Sequence, residues 1–158
     1  MKKPFFIIIF VLATFPHDSL AQETKAEHLT INHAWTRATM TSNQAAAIYM
    51  EITNHGEDTE RLLGAKSNIA RMVMLHRVVI ERNVARMEPL EALSILPNSK
   101  VELQTGGAHI MLNGLSSMLV DGDSIPLVLI FENAGEVTIN VSVEGMSMEH
   151  RHNHNTRP

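Results

Sequence analysis

This sequence predicts an all-β domain, a Greek-key β-sandwich or barrel, and three observations carry that expectation. Val137-Thr-Ile-Asn-Val-Ser-Val143 alternates apolar and polar residues at a period of two, as a half-buried strand requires. Leu127-Val-Leu-Ile-Phe131 is a continuous apolar run bounded by turn residues, the pattern of a strand buried on both faces. Turn signals recur at Asn54-His55-Gly56, Pro97-Asn98, Gly106-Gly107, Asn113-Gly114, Asp121-Gly122-Asp123 and Asn133-Ala134-Gly135, at spacings that leave little room for helices.

The elements follow in chain order. Lys2 and Lys3 form a positive start, Phe5 to Phe15 is apolar, and Ser19-Leu20-Ala21 supplies small residues where a leader is cut. Residues 1–21 are therefore expected to be a Sec-type signal peptide. The apolar run falls well short of the ~20 residues a membrane-crossing helix needs, so the mature chain is not expected to span a membrane. With no Cys among the 158 residues, nothing can carry a lipoprotein anchor. Residues 22–144 form the single expected domain, with strands between about Leu29 and Val143. Met72-Val-Met-Leu75 alternates within an apolar strand, which places Met72 and Met74 in the core or at a rim. Met40 lies in the polar stretch Ala38 to Asn43, an expected loop from which it could cap a site. Trp35 and Tyr49, the only large amphipathic aromatics, are expected in the core, while His33 and His55 have no donor partners at useful spacing. After Glu144 the alternation stops, and residues 145–158 read as a flexible Met/His-rich tail.

Charge and composition exclude several functions. Thirteen Lys and Arg (13) against 17 Asp and Glu give a net charge of −4 with no basic run, so no phosphate backbone is gripped and nucleic acid is not an expected partner. Without Cys there is no disulfide, iron–sulfur cluster, thiolate zinc site, Cys nucleophile or blue-copper ligand. Ten Met (10) and 9 His are left as the residues with chemistry to offer.

His109 and Met111 are two apart, so on a strand both project from one face. With His76 and Met87 they spell His-x10-Met-x21-His-x-Met. Thioethers are soft neutral ligands that suit Cu(I) and do little for Zn(II), Mg(II) or Ca(II), while imidazole accepts copper in either oxidation state. A two-Met, two-His set thus selects Cu(I), and unlike thiolates it is not lost to disulfides outside the cytoplasm. The tail offers Met146 and Met148, then His150, His152 and His154, closely spaced imidazoles fit for a second site that takes Cu(II).

The four-residue spacing is the metal-binding pattern of the periplasmic copper chaperones of the PCu(A)C type, and the surrounding sequence resembles that family too. The resemblance runs from Ile31-Asn-His-Ala-Trp-Thr-Arg-Ala38 through Ala47 to Asn54, Arg61 to Ala65, Gly107 to Leu112 and Gly122 to Leu127, and ends at Phe131. It implies a cupredoxin-like fold and no enzymatic activity. It also implies one Cu(I) held by His76, Met87, His109 and Met111, with delivery to a cytochrome c oxidase subunit or to another copper chaperone. Three departures stand out: Arg77 where an acidic residue is common, a change to the electrostatics of the site's mouth; Asn113 where a further Met is frequent; and Pro97-Asn-Ser-Lys100 in place of a Gly-rich turn. Periplasmic copper storage or resistance is the alternative that the same ligands allow, and a metal-free β-sandwich interaction module is the more distant one.

Overall fold

The structure, a computed structural model, describes residues 23–145, so residues 1–21 and the tail donors Met146, Met148, His150, His152 and His154 lie outside the described residues. The described chain is all strand and turn, with no helix. The strands are β1 (Thr24–Ala26), β2 (Leu29–Arg37), β3 (Ala46–Asn54), β4 (Glu60–Lys66), β5 (Ala70–Glu81), β6 (Val84–Pro89), β7 (Leu93–Ile95), β8 (Ser99–Leu103), β9 (Ala108–Leu115), β10 (Ser124–Phe131) and β11 (Glu136–Glu144). They form one 11-stranded sheet in the order β6-β5-β9-β3-β2-β11-β10-β4-β7, with β1 added to β2 and β8 to β3. Neighbours that are remote in sequence, such as β5 with β9 and β2 with β11, give it the crossed connections of a Greek key. The β11–β2 pairing is parallel and the others are antiparallel. The sheet folds over so that β4 packs on β5 and β7 on β3 without hydrogen-bonding to them, which closes the core.

Alternation decides what enters that core. On β3, Ala46, Ile48, Met50 and Ile52 point in; on β11, Val137, Ile139, Val141 and Val143 do the same. Each fully buried aliphatic side chain contributes about 1.5–3 kcal/mol relative to exposure. The continuous run on β10 is not buried on both faces. Leu127, Leu129 and Phe131 are buried, but Val128 and Ile130 are only half-buried, because no second layer covers the outer face there. Asn113-Gly114 is not a turn either. It lies inside β9, with Gly114 at a φ of 66°, and Leu115 still pairs with Ala70. An Asn-Gly pair makes a hairpin only when its flanks pair with each other, and here the flanks belong to β5 and β3 instead.

One irregularity positions the outer face of β2. The β2–β3 register shifts between Asn32 and Trp35, where one extra residue is accommodated. His33 absorbs the bulge with a φ of 50°, a left-handed conformation unusual for a non-glycine residue. The bulge lets Ile31 point inward while Trp35, an even number of residues later, points outward opposite Tyr49.

Candidate metal centre

The register of β5, β6 and β9 brings the four spaced donors together. His76 on β5 lies directly across from His109 on β9, and Met74 directly across from Met111. Met87 on β6 pairs with Val78, two residues along β5 from His76. Cross-strand partners share a face, so His76, His109, Met111 and Met87 all project from the outer face of the sheet, opposite the side on which Leu75 and Ile110 are buried. The two imidazole rings are 6.1 Å apart between centroids and nearly perpendicular, at 76°.

Each donor is held differently. His109 is buried at 5% exposure although it faces outward, because Tyr49 and His76 flank it. Its Nδ1 lies 3.2 Å from the carbonyl oxygen of Gly107. A carbonyl only accepts, so Nδ1 carries the proton and Nε2 keeps a free lone pair. His76 is half-buried, and its Nδ1 is the one buried side-chain polar atom among the described residues with no hydrogen-bond partner. A buried polar atom left unpaired costs about 1–3 kcal/mol, a cost that a bound cation at this lone pair would remove. Met111 is half-buried beside Ala47 of β3. Met87 is 61% exposed on β6, which ends the sheet, so one donor of the set faces solvent at an edge.

The donor chemistry is soft. Among the described residues no three His, Asp or Glu side chains gather as a metal-binding group. Glu51 and Glu102, near the face on the β3–β8 side, are both tied to Lys100, at 3.2 and 2.9 Å. What remains is a pair of imidazoles flanked by thioethers, a set suited to Cu(I) and poorly suited to hard cations.

Several expectations change on this face. Trp35 and Tyr49 are not core residues: both are half-buried and continue the row outward from His109, Tyr49 at 6.4 Å from His109 and Trp35 at 4.9 Å from Tyr49. His33 extends it, 6.4 Å from Trp35. Of the two placements expected for Met72 and Met74, core or rim, the core is ruled out. Met72 is 53% exposed, Met74 is half-buried, and both share the face of His76. Sequence reasoning missed Met74 as a neighbour of the site; its i, i+2 spacing to His76 was the available signal. Arg77 points to the opposite face from His76 and pairs with Glu88 at 3.5 Å, so its charge is not at the mouth. Met40 sits in the loop after β2, 73% exposed, its backbone N–H donating to Gln44 Oε1. It does not line the cleft of about 140 Å³ between that loop and Tyr49. His55 is exposed and engages the Thr30 hydroxyl at 3.0 Å.

Fold and face together define a class: a cupredoxin-like β domain that carries a clustered His/Met donor set on the outside of its sheet. The chain belongs to the LpqE-like family, which it matches over residues 29–143, and it has the fold of the solved PCuAC domains. It is 29% identical over 124 residues to Lxx21020 of Leifsonia xyli subsp. xyli, a protein named as a putative lipoprotein, covering 78% of this chain and 74% of that one. Among solved structures, the copper-bound PCuAC domain of PmoF2 superposes with a TM-score of 0.67 at 32% identity, over 78% of this chain and 98% of that chain. Apo-DR1885 of Deinococcus radiodurans shares the fold, with a TM-score of 0.60 at 24% identity over 92% of this chain and 97% of that one.

Proposed function

We propose that this protein is an exported copper carrier that holds one Cu(I) through His76, Met87, His109 and Met111 and passes it to the copper site of cytochrome c oxidase or to an intermediary chaperone. The observation that carries the reading is the pairing of His76 with His109, an orphaned Nδ1 on the first and a free Nε2 on the second, with thioethers on either side. The copper-bound PCuAC domain of PmoF2, a third identical in sequence, supports copper as the cargo. Residues 1–21 serve as a Sec-type leader that delivers the mature chain, from Gln22, to the periplasm. Residues 22–144 form the binding domain, and residues 145–158 add a second site in which His150, His152 and His154, with Met146 and Met148, take Cu(II).

The placement of the donors suits a carrier rather than a catalyst. His109 and Met111 anchor the ion from a central strand, while Met87 on the edge strand is the donor an incoming acceptor ligand reaches first. Exchange can begin there without exposing the buried imidazole. The test is a competition titration of the full chain against a Cu(I) chelator. Stoichiometric Cu(I) binding that is weakened by Met111→Leu and nearly lost in His109→Ala/Met111→Leu is expected; unchanged affinity in the double variant overturns the site. Deletion of residues 146–158 is expected to remove Cu(II) binding and spare Cu(I). Delivery is tested by whether the loaded chain metallates an apo oxidase copper-site domain faster than free copper does; an equal rate removes the chaperone role and leaves storage.

A further inference from the structure

The outer face of β5 holds more thioethers than the four-donor site uses. Met72, Met74 and His76 occupy alternate positions on one strand, so their side chains leave the same face about 7 Å apart. Met74 is directly across from Met111, which puts their Cβ atoms about 4.5–5.5 Å apart. Met111's neighbour on the other side is Ala47, too short to fill the space above it, so the two thioethers are free to lean together. Met72 lies across from Asn113, one step further out. The result is a ladder in which a thioether pair, Met74 and Met111, adjoins an imidazole pair, His76 and His109, with Met72 at the open end.

Packing does not account for these residues. Met72 is 53% exposed and buries too little to stabilise the core, and the inward positions of the same strand are served by Leu75. At an exposed strand position a β-branched or polar residue is the more favourable choice. What Met72 and Met74 do provide is flexible, polarisable sulfur that reaches in several directions.

We propose that Met72, Met74 and Met111 form an outer, thioether-only position for a soft monovalent cation, through which Cu(I) enters and leaves the four-donor site. Met111 is shared between the two positions. The ion can therefore move inward by exchanging Met72 and Met74 for His76 and His109 while one Met–copper bond is kept, and no step requires a bare cation. An all-thioether position has no ligand for a hard or borderline cation, so it also filters for softness before the imidazoles are reached. This inference rests on the four-donor reading above and adds the route to it.

The probe is Ag(I), a redox-inert soft cation, titrated to one equivalent into the full chain labelled at the methionine ε-methyls, with each resonance assigned by single Met→Leu replacement. The methyls of Met72 and Met74 are expected to move together with those of Met87 and Met111. Met72→Leu/Met74→Leu, a volume-conserving change at exposed and half-buried positions that the fold tolerates, is expected to slow Cu(I) capture from a chelator by about tenfold. Its equilibrium affinity should stay within about threefold of the parent. Movement at Met87 and Met111 with silence at Met72 and Met74, or loading of the double variant at the parental rate, overturns the outer position and leaves the four-donor site standing. Silence at Met87 and Met111 refutes the four-donor site itself, and the path with it.

Discussion

Glu60 is a carboxylate with no exposed surface, at the start of β4, and replacing it tests whether the loop structure below the sheet depends on one buried charge. Its Oε1 accepts from the backbone N–H of Arg61 at 2.8 Å and of Asn133 at 3.1 Å, and its Oε2 accepts from Ala134 N–H at 3.0 Å. His28 Nε2 stands 3.6 Å from Oε2. Burial alone would raise the pKa of this carboxyl, but the three amide hydrogen bonds and the nearby His28 outweigh it and hold the group below the usual carboxylate range. Glu60→Gln keeps the Oε1 acceptor but turns an amide NH2 toward the Ala134 N–H, donor against donor, so it should cost about 2–3 kcal/mol. Glu60→Ala strands three partly buried backbone amides and should cost about 3–5 kcal/mol. Urea unfolding followed by the fluorescence of Trp35, the only Trp, measures both. Because the folded pKa is depressed, the contribution of Glu60 is complete above the unfolded Glu value of about 4.3 and is lost as pH falls through the lower folded value. The gap between parent and Glu60→Gln should therefore close only in that acidic window, and Cu(I) affinity at neutral pH should be unchanged. Equal stabilities at pH 7, or a gap that persists into strong acid, would refute the assignment.

Three further outcomes follow from the same geometry. Met87→Leu changes a 61% exposed side chain, so unfolding free energy should shift by less than about 0.5 kcal/mol, while chelator competition should show Cu(I) binding weakened by about tenfold or more. Gly114→Ala places a Cβ 2.7 Å from Arg71 Nε at a φ of 66°, and should cost about 1–3 kcal/mol in a denaturation experiment. Acidification should weaken Cu(I) binding, since protons compete for His76 and His109, but not abolish it, since the thioethers carry no titrating proton; competition titrations at neutral and acidic pH measure the slope.

Much of the fold was legible because it is local. The alternation over Val137 to Val143 became β11, and the turn residues at Asn133 to Gly135 became the hairpin that joins it to β10. That His76, Met87, His109 and Met111 share one face was legible from spacing, because β5, β6 and β9 pair in a fixed register. What escaped was set by pairing between distant segments. Nothing near Met74 tells that Met111 lies across from it, because that contact follows from β5 meeting β9. The outward turn of Trp35 depends on the bulge at His33, which breaks the alternation a reader would otherwise carry through β2. Glu60 reads as an ordinary surface carboxylate until a turn 73 residues away supplies its amides.

On the function proposed above, two imidazoles and two thioethers on one outer face hold a single Cu(I). X-ray absorption at the copper edge, on the full chain loaded with one equivalent of Cu(I) under reducing conditions, tests it most directly. The spectrum should contain both sulfur and imidazole scattering, with the sulfur contribution reduced in Met87→Leu/Met111→Leu and the imidazole contribution reduced in His109→Ala. A first shell of nitrogen and oxygen alone, or a sulfur shell indifferent to Met87 and Met111, would contradict it.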